Sequence, residues 1–148
     1  MTRKFDSFSG LLCGALGEHL EPGEEIGDLF AENIVFEFPY APEGLPRQLR
    51  GKVALIDHLA RISPLLEFGE MTLHRVHPSG DTVVLEFSCM GRGRRTGAPY
   101  HQRYISVVTL SDGRIVHYVD YWNPLVLLSA LGGSEAARTA FAEGVADA

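Results

Sequence analysis

Apolar positions in the first half of the chain recur at helical intervals, and in the second half they alternate. Between Phe5 and Leu20, one helical stripe carries Phe8, Leu12, Ala15, Leu16 and His19. Glu21-Pro22-Gly23 then stops that helix. A short second helix is expected over Glu24 to Phe30, with Ile26, Leu29 and Phe30 turned inward. From Lys52 to Leu66, the residues Leu55, Leu59, Ile62 and Leu66 follow at spacings of four, three and four. Pro64 kinks or ends this third helix.

Strands show a different signature. Ile34 to Phe38 is β-branched and aromatic, and Pro39 and Pro42 close it. Met71 to His77, Thr82 to Met90, Tyr100 to Leu110 and Arg114 to Trp122 are likewise strand-like. Pro78 to Asp81, Gly91 to Pro99 and Ser111 to Gly113 separate them as turns. Asn123 caps a last helix, Pro124 sits in its first turn, and Gly132-Gly133 ends it. Helices followed by a run of antiparallel strands predict an α+β domain over residues 1–133. The alanine-rich tail, residues 134–148, is expected to be one loose helix or disordered.

Composition narrows the function. With 148 residues, 45% of them hydrophobic, the chain can bury one core. A net charge of −6 opposes sequence-independent nucleic-acid binding. No apolar run approaches the roughly 20 residues of a membrane span, and no secretory signal is evident behind Met1-Thr2-Arg3-Lys4. Cys13 and Cys89 are far apart and read as reduced thiols, so a cytoplasmic protein is expected.

Phe36-Glu37-Phe38-Pro39-Tyr40, Leu49-Arg50-Gly51-Lys52, Ser111-Asp112-Gly113-Arg114-Ile115 and above all Tyr118-Val119-Asp120-Tyr121-Trp122-Asn123-Pro124 stand in this order of elements. With that order, the chain resembles the NTF2-like (cystatin-like) superfamily, closest to its SnoaL-like and phenazine-biosynthesis A/B-like branches. The resemblance implies a cone: a bent antiparallel sheet wrapped around three helices of the N-terminal half, with a pocket at the wide end. It also implies a homodimer paired through the outer sheet face. The superfamily holds isomerases, dehydratases, cyclases and epoxide hydrolases beside binding proteins, so fold membership leaves the reaction open.

Asp120 is the candidate that carries chemistry. Under two-residue periodicity it shares a face with Tyr118 and Trp122. A carboxylate among such rings suits a cavity wall, and an apolar wall raises its pKa into the range of a proton carrier. The resemblance implies an acid–base role at this place in the motif. The alternative is a ligand anchor, or a partner for an arginine such as Arg103.

A three-residue hairpin loop pairs Leu110 with Arg114, placing Tyr104 opposite Asp120 and Gln102 opposite Trp122. A two-residue loop brings up Arg103 and Ile105 instead. In the first register Tyr104 and Gln102 share the pocket face, and either is placed to steady a developing oxyanion, with a wall aromatic as the other role for Tyr104.

His58 borders the buried stripe of the third helix and is a candidate second acid–base group, as the resemblance to phenazine A/B-like proteins implies, or a structural histidine. Phe36, Phe38 and Tyr40 share one strand face and suit a pocket wall, with Tyr118 and Trp122 as further ligand-contacting candidates. Glu86 is either a second inward carboxylate or an edge salt bridge. His74 and His77, three apart on a strand, are expected on opposite faces, and His101 and His117 on the outer face, so no metal or organic cofactor is expected. The glycine- and arginine-rich stretch Gly91 to Gly97 lacks the helix of a dinucleotide fingerprint and reads as a basic loop able to attract an anionic substrate. No Gly-x-Ser-x-Gly elbow or P-loop occurs. An epoxide hydrolase needs an arginine between two aspartates, and Asp120 alone is well placed, since Asp57 adjoins His58 on a helix.

Overall fold

A computed structural model describes residues 2–146, with side chains through residue 142. The elements are β1 (Arg3–Phe5), α1 (Phe8–Leu16), β2 (Phe30–Glu37), β3 (Gln48–Arg50), α2 (Lys52–Ile62), β4 (Leu66–Ser79), β5 (Thr82–Gly93), β6 (Gln102–Ser111), β7 (Arg114–Trp122), α3 (Pro124–Leu131) and α4 (Ser134–Ala146). They form an α+β domain on one sheet, ordered β1-β4-β5-β6-β7-β2-β3. The sheet is mixed, because β2 runs parallel to β7 with Phe36 beside Tyr118. The remaining pairs are antiparallel.

Local chemistry sets the helix ends. Ser7 caps α1, its side chain accepting from the Gly10 N–H. The first helix therefore starts three residues later than the apolar stripe suggests, and Arg3–Phe5 pairs with β4 instead. It ends at Gly17, which leaves His19 exposed in a short turn. The second expected helix is a single 3₁₀ turn, Ile26–Leu29, and Phe30 already belongs to β2. The third ends at Ile62, ahead of Pro64, so Leu66 opens β4.

Register shifts interrupt β4 between Phe68 and Met71 and again between Leu73 and Arg75. Such bulges bend a strand and increase its twist. The second one also overturns the expectation for the histidines of β4. His74 and His77 reach the same outer face, where they bond Ser88 (2.8 Å) and Glu86 (2.7 Å). Glu86 is thus the edge partner of a histidine and faces away from the core.

The concave face of the sheet carries Leu73, Leu85, Phe87, Tyr104, Val108 and Tyr118, all buried. Helix α3 seats against β5 at Gly93, where a Cβ would lie 2.0 Å from the Ala130 carbonyl oxygen. Thr96 Oγ1 donates to that same oxygen at 2.7 Å. The tail forms the single helix that is one of its two expectations, α4, but it is packed rather than loose, with Ala137 and Phe141 buried; residues 147 and 148 lie outside the described part. Among the described residues no helix is long and apolar enough to cross a membrane.

Candidate active site in the sheet cavity

The concave sheet and the helices enclose a cavity of about 610 Å³, within the range that small ligands occupy. Its walls are mostly aromatic and aliphatic. Phe36 and Phe38 reach it from β2, Phe87 from β5, Trp122 from β7, Leu55 and Leu59 from α2, and Phe141 from α4. Period-two alternation in the strands and the helical stripe of α2 aim these side chains inward.

Asp120 lies in this wall, buried. Burial pushes its carboxyl up from the ordinary value of 3.8 to about 7, and a hydrogen bond from Ser106 partly opposes the shift. Ser106 Oγ donates to Asp120 Oδ1 at 3.0 Å, and the Tyr118 hydroxyl donates to Ser106 Oγ at 2.7 Å. The carboxyl thus has a hydroxyl relay behind it and an apolar cavity in front. Arg103 is exposed on the other face and does not pair with it.

The register explains why Ser106 is the partner. The β6–β7 turn is two residues, Asp112 (φ 52°) and Gly113 (φ 77°), closed by the pair Ser111–Arg114. Positive φ at both positions is the hairpin turn that matches strand twist. A bulge then falls between the pairs Leu110–Ile115 and Thr109–His117. The extra residue returns the face parity that a bare two-residue loop would lose. Asp120 therefore meets Ser106, and Tyr104 meets Trp122, each one pair along from the three-residue register.

Tyr104 still lines the cavity, stacked on Phe87 with ring centroids 4.7 Å apart. Its hydroxyl shares a 2.8 Å hydrogen bond with that of Tyr100. Burial holds both phenols well above their ordinary pKa, so both remain proton donors. His58 also lines the cavity, 5.1 Å from Phe38 and 6.0 Å from Phe141 between ring centroids. Its Nδ1 is buried without a hydrogen-bond partner among the described residues. Burial, helped by the charge of Arg61, lowers its pKa to about 4. His58 is therefore a neutral imidazole near pH 7.

Three residues expected to contact a ligand lie outside the cavity wall. Tyr40 is exposed past the end of β2, edge-on to Tyr121, because Pro39 turns the chain before it. Gln102 is buried outside the cavity wall and ties β6 to the start of α3, donating to the Asn123 carbonyl (2.9 Å) and accepting from its N–H (2.8 Å). Tyr118 is fully buried behind Asp120, stacked on Phe36. Conversely, Tyr100 and Phe141 line the cavity without being singled out by the sequence, and Ser106 stands behind Asp120 as its hydrogen-bond donor. The same alternation that selects Gln102 and Tyr104 also selects Tyr100 and Ser106. Phe141 had no such signal in an alanine-rich tail. No group of three or more His, Cys, Asp or Glu side chains among the described residues could hold a metal ion.

The SnoaL-like domain family matches residues 20–118 of this chain. The chain belongs to the SnoaL-like family. It is 50% identical over 109 residues to the uncharacterized protein YesE of Bacillus subtilis, covering 72% of this chain and 74% of that one. It is 38% identical over 123 residues to the uncharacterized PhzA/B-like protein PA3332 of Pseudomonas aeruginosa, covering 80% and 86%. Among solved structures, the "Putative Isomerase from Bacillus subtilis" superposes with a TM-score of 0.70 at 49% identity, covering 73% of this chain and 79% of that one. A phenazine biosynthesis-related protein from Pseudomonas aeruginosa shares the fold at a TM-score of 0.61 and 18% identity, covering 80% and 79%. The SnoaL-like chain thus has the NTF2-like architecture that its closing strand suggested.

Proposed function

We propose that this SnoaL-like protein is a cofactor-independent acid–base enzyme of the isomerase, dehydratase or cyclase type, acting on a small cyclic or polyketide-like carbonyl compound. The observation that carries the reading is a buried carboxyl, its pKa raised by burial, in the wall of a cavity of about 610 Å³ that is largely apolar and also presents a tyrosine pair. In this mechanism the Asp120 carboxylate takes a proton from carbon next to the substrate carbonyl. The Tyr104 hydroxyl, polarised by Tyr100, donates to the oxygen on which negative charge develops. Returning the proton to another carbon isomerises the substrate, expelling water dehydrates it, and attack of the enolate on a second carbonyl closes a ring. His58, neutral, lines the same cavity as a hydrogen-bonding group for the substrate. The relatedness to a protein called a putative isomerase supports this class of reaction. The reading includes a homodimer paired through the outer sheet face, where Ile105 and Met90 stand exposed, and sedimentation would test it.

The decisive experiment incubates the protein with cyclic ketones and β-keto esters in heavy water and follows carbon-bound proton exchange by NMR. Wild type should exchange protons at a substrate-dependent rate. Asp120→Asn should slow exchange by about 10²- to 10⁴-fold while ligand-induced thermal shifts persist. Ligand binding with no exchange by wild type would leave a non-catalytic ligand-binding protein.

A further inference from the structure

The most exposed wall residues, Ser7, Ser63, Phe68 and Arg94, mark the opening of the cavity. Arg94 is the one basic side chain among the described wall residues apart from the neutral His58. Two contacts fix it. Its backbone N–H donates to the Leu65 carbonyl (3.0 Å), and its Nε donates to the Ser63 carbonyl (2.8 Å). Its Nη1 leans to 3.8 Å from Glu67, whose carboxylate oxygen takes a closer hydrogen bond from Arg92 at 2.8 Å. Two guanidinium groups share one carboxylate there, so this trio carries one net positive charge although the chain carries −6. A guanidinium held at Nε still offers its terminal N–H fork to an oxyanion.

The opposite polar feature of the cavity is the Asp120 carboxyl, which repels an anion whenever it is ionised. Between the two features the walls are flat rings: Phe36, Phe38, Phe87 and Trp122. We propose that Arg94 is a carboxylate-binding anchor at the cavity mouth, and that the ligand is a flat, unsaturated ring system bearing a carboxylate at the end away from its reacting oxygen. The inference rests on the cavity being the ligand site. It adds a direction of entry, with the oxygen to be activated going in first and the charge staying at the rim. Arg94 is a specificity residue in this scheme and takes no part in moving the proton.

Isomeric hydroxynaphthoates and their methyl esters test this, since each pair keeps the ring body and changes only the charge. Affinities are measured by fluorescence titration at pH 7 for wild type, Arg94→Gln, and Arg95→Gln as an exposed control on the same loop. At least one acid should bind wild type about tenfold more tightly than its ester, and the advantage should shrink at high salt. Arg94→Gln should bring that acid down to the affinity of its ester without weakening the ester, and Arg95→Gln should keep the preference. A strut role for Arg94 would weaken acid and ester alike, which overturns the anchor. Esters binding as tightly as acids in wild type also overturn it while leaving the pocket intact. Failure of every acid and ester to bind overturns the anchor and the pocket reading together.

Discussion

At the scale of single residues, the geometry around Asp120 makes a prediction that separates a tuned carboxyl from a merely buried one. The Ser106 hydroxyl donates to Oδ1 and so favours the ionised form, against burial, which favours the neutral one. Removing that donor with Ser106→Ala leaves burial unopposed, so the Asp120 pKa should rise above its value of about 7. In the proton-abstraction assay, activity needs the carboxylate and should climb with pH to a plateau. The climbing limb should sit near pH 7 in wild type and move to higher pH in Ser106→Ala, with plateau rates much closer together than the rates at pH 6. The variant also strands the Tyr118 hydroxyl, at a stability cost of about 1–3 kcal/mol. A limb that stays in place would show that Ser106 does not act on Asp120. Asp120 was legible in sequence because an aspartate flanked by rings on one strand face is expensive unless used. Alternation puts Ser106 on the same face, but its pairing with Asp120 was not legible, because it depends on a bulge at one residue that local patterning does not mark.

At the scale of elements, α4 is where tertiary packing overrode composition. An alanine-rich segment after two glycines gives little periodic signal, yet it places Phe141 on the cavity and stacks it 16° from parallel with His58. The strands and the third helix were legible because their apolar residues repeat at the right period. The ends of the first two helices were not, because capping at Ser7 and a return to β2 at Phe30 depend on what the neighbouring strands offer. Since Phe141 helps to desolvate His58, the two should respond together. Phe141→Ala, or a chain ending at Gly132, should raise the His58 pKa from about 4 towards its ordinary 6.5. NMR titration of the imidazole reads this directly. Phe141→Ala should also cost roughly 3 kcal/mol of stability, measurable by urea unfolding. An unchanged imidazole titration would place the source of the shift in α2 and β2 alone.

For the whole molecule, Asp120 and His58 press on stability in opposite directions across the same span of pH. Asp120 has its pKa raised from 3.8 to about 7 on folding. Between those values the folded chain keeps a proton that the unfolded chain has lost, so stability falls as pH rises, by about 4 kcal/mol in all. His58 has its pKa lowered from 6.5 to about 4. There the unfolded chain takes up a proton that the folded chain refuses, so stability falls as pH drops through that window, by about 3 kcal/mol. Between pH 4 and 6.5 the two slopes oppose each other and nearly cancel. Asp28, Glu67 and Glu86, all held below their ordinary values, act at lower pH, where protonating them removes stability. His74 adds to the His58 slope from the outer face. Urea unfolding at half-unit steps from pH 4.5 to 7.5 should therefore give a shallow profile for wild type. Asp120→Asn should uncover the histidine slope, gaining stability as pH rises to 6.5. His58→Phe should uncover the carboxyl slope, losing stability until about pH 7. Parallel profiles for all three proteins would mean that neither group is desolvated in solution, and that water fills the cavity that both of them line.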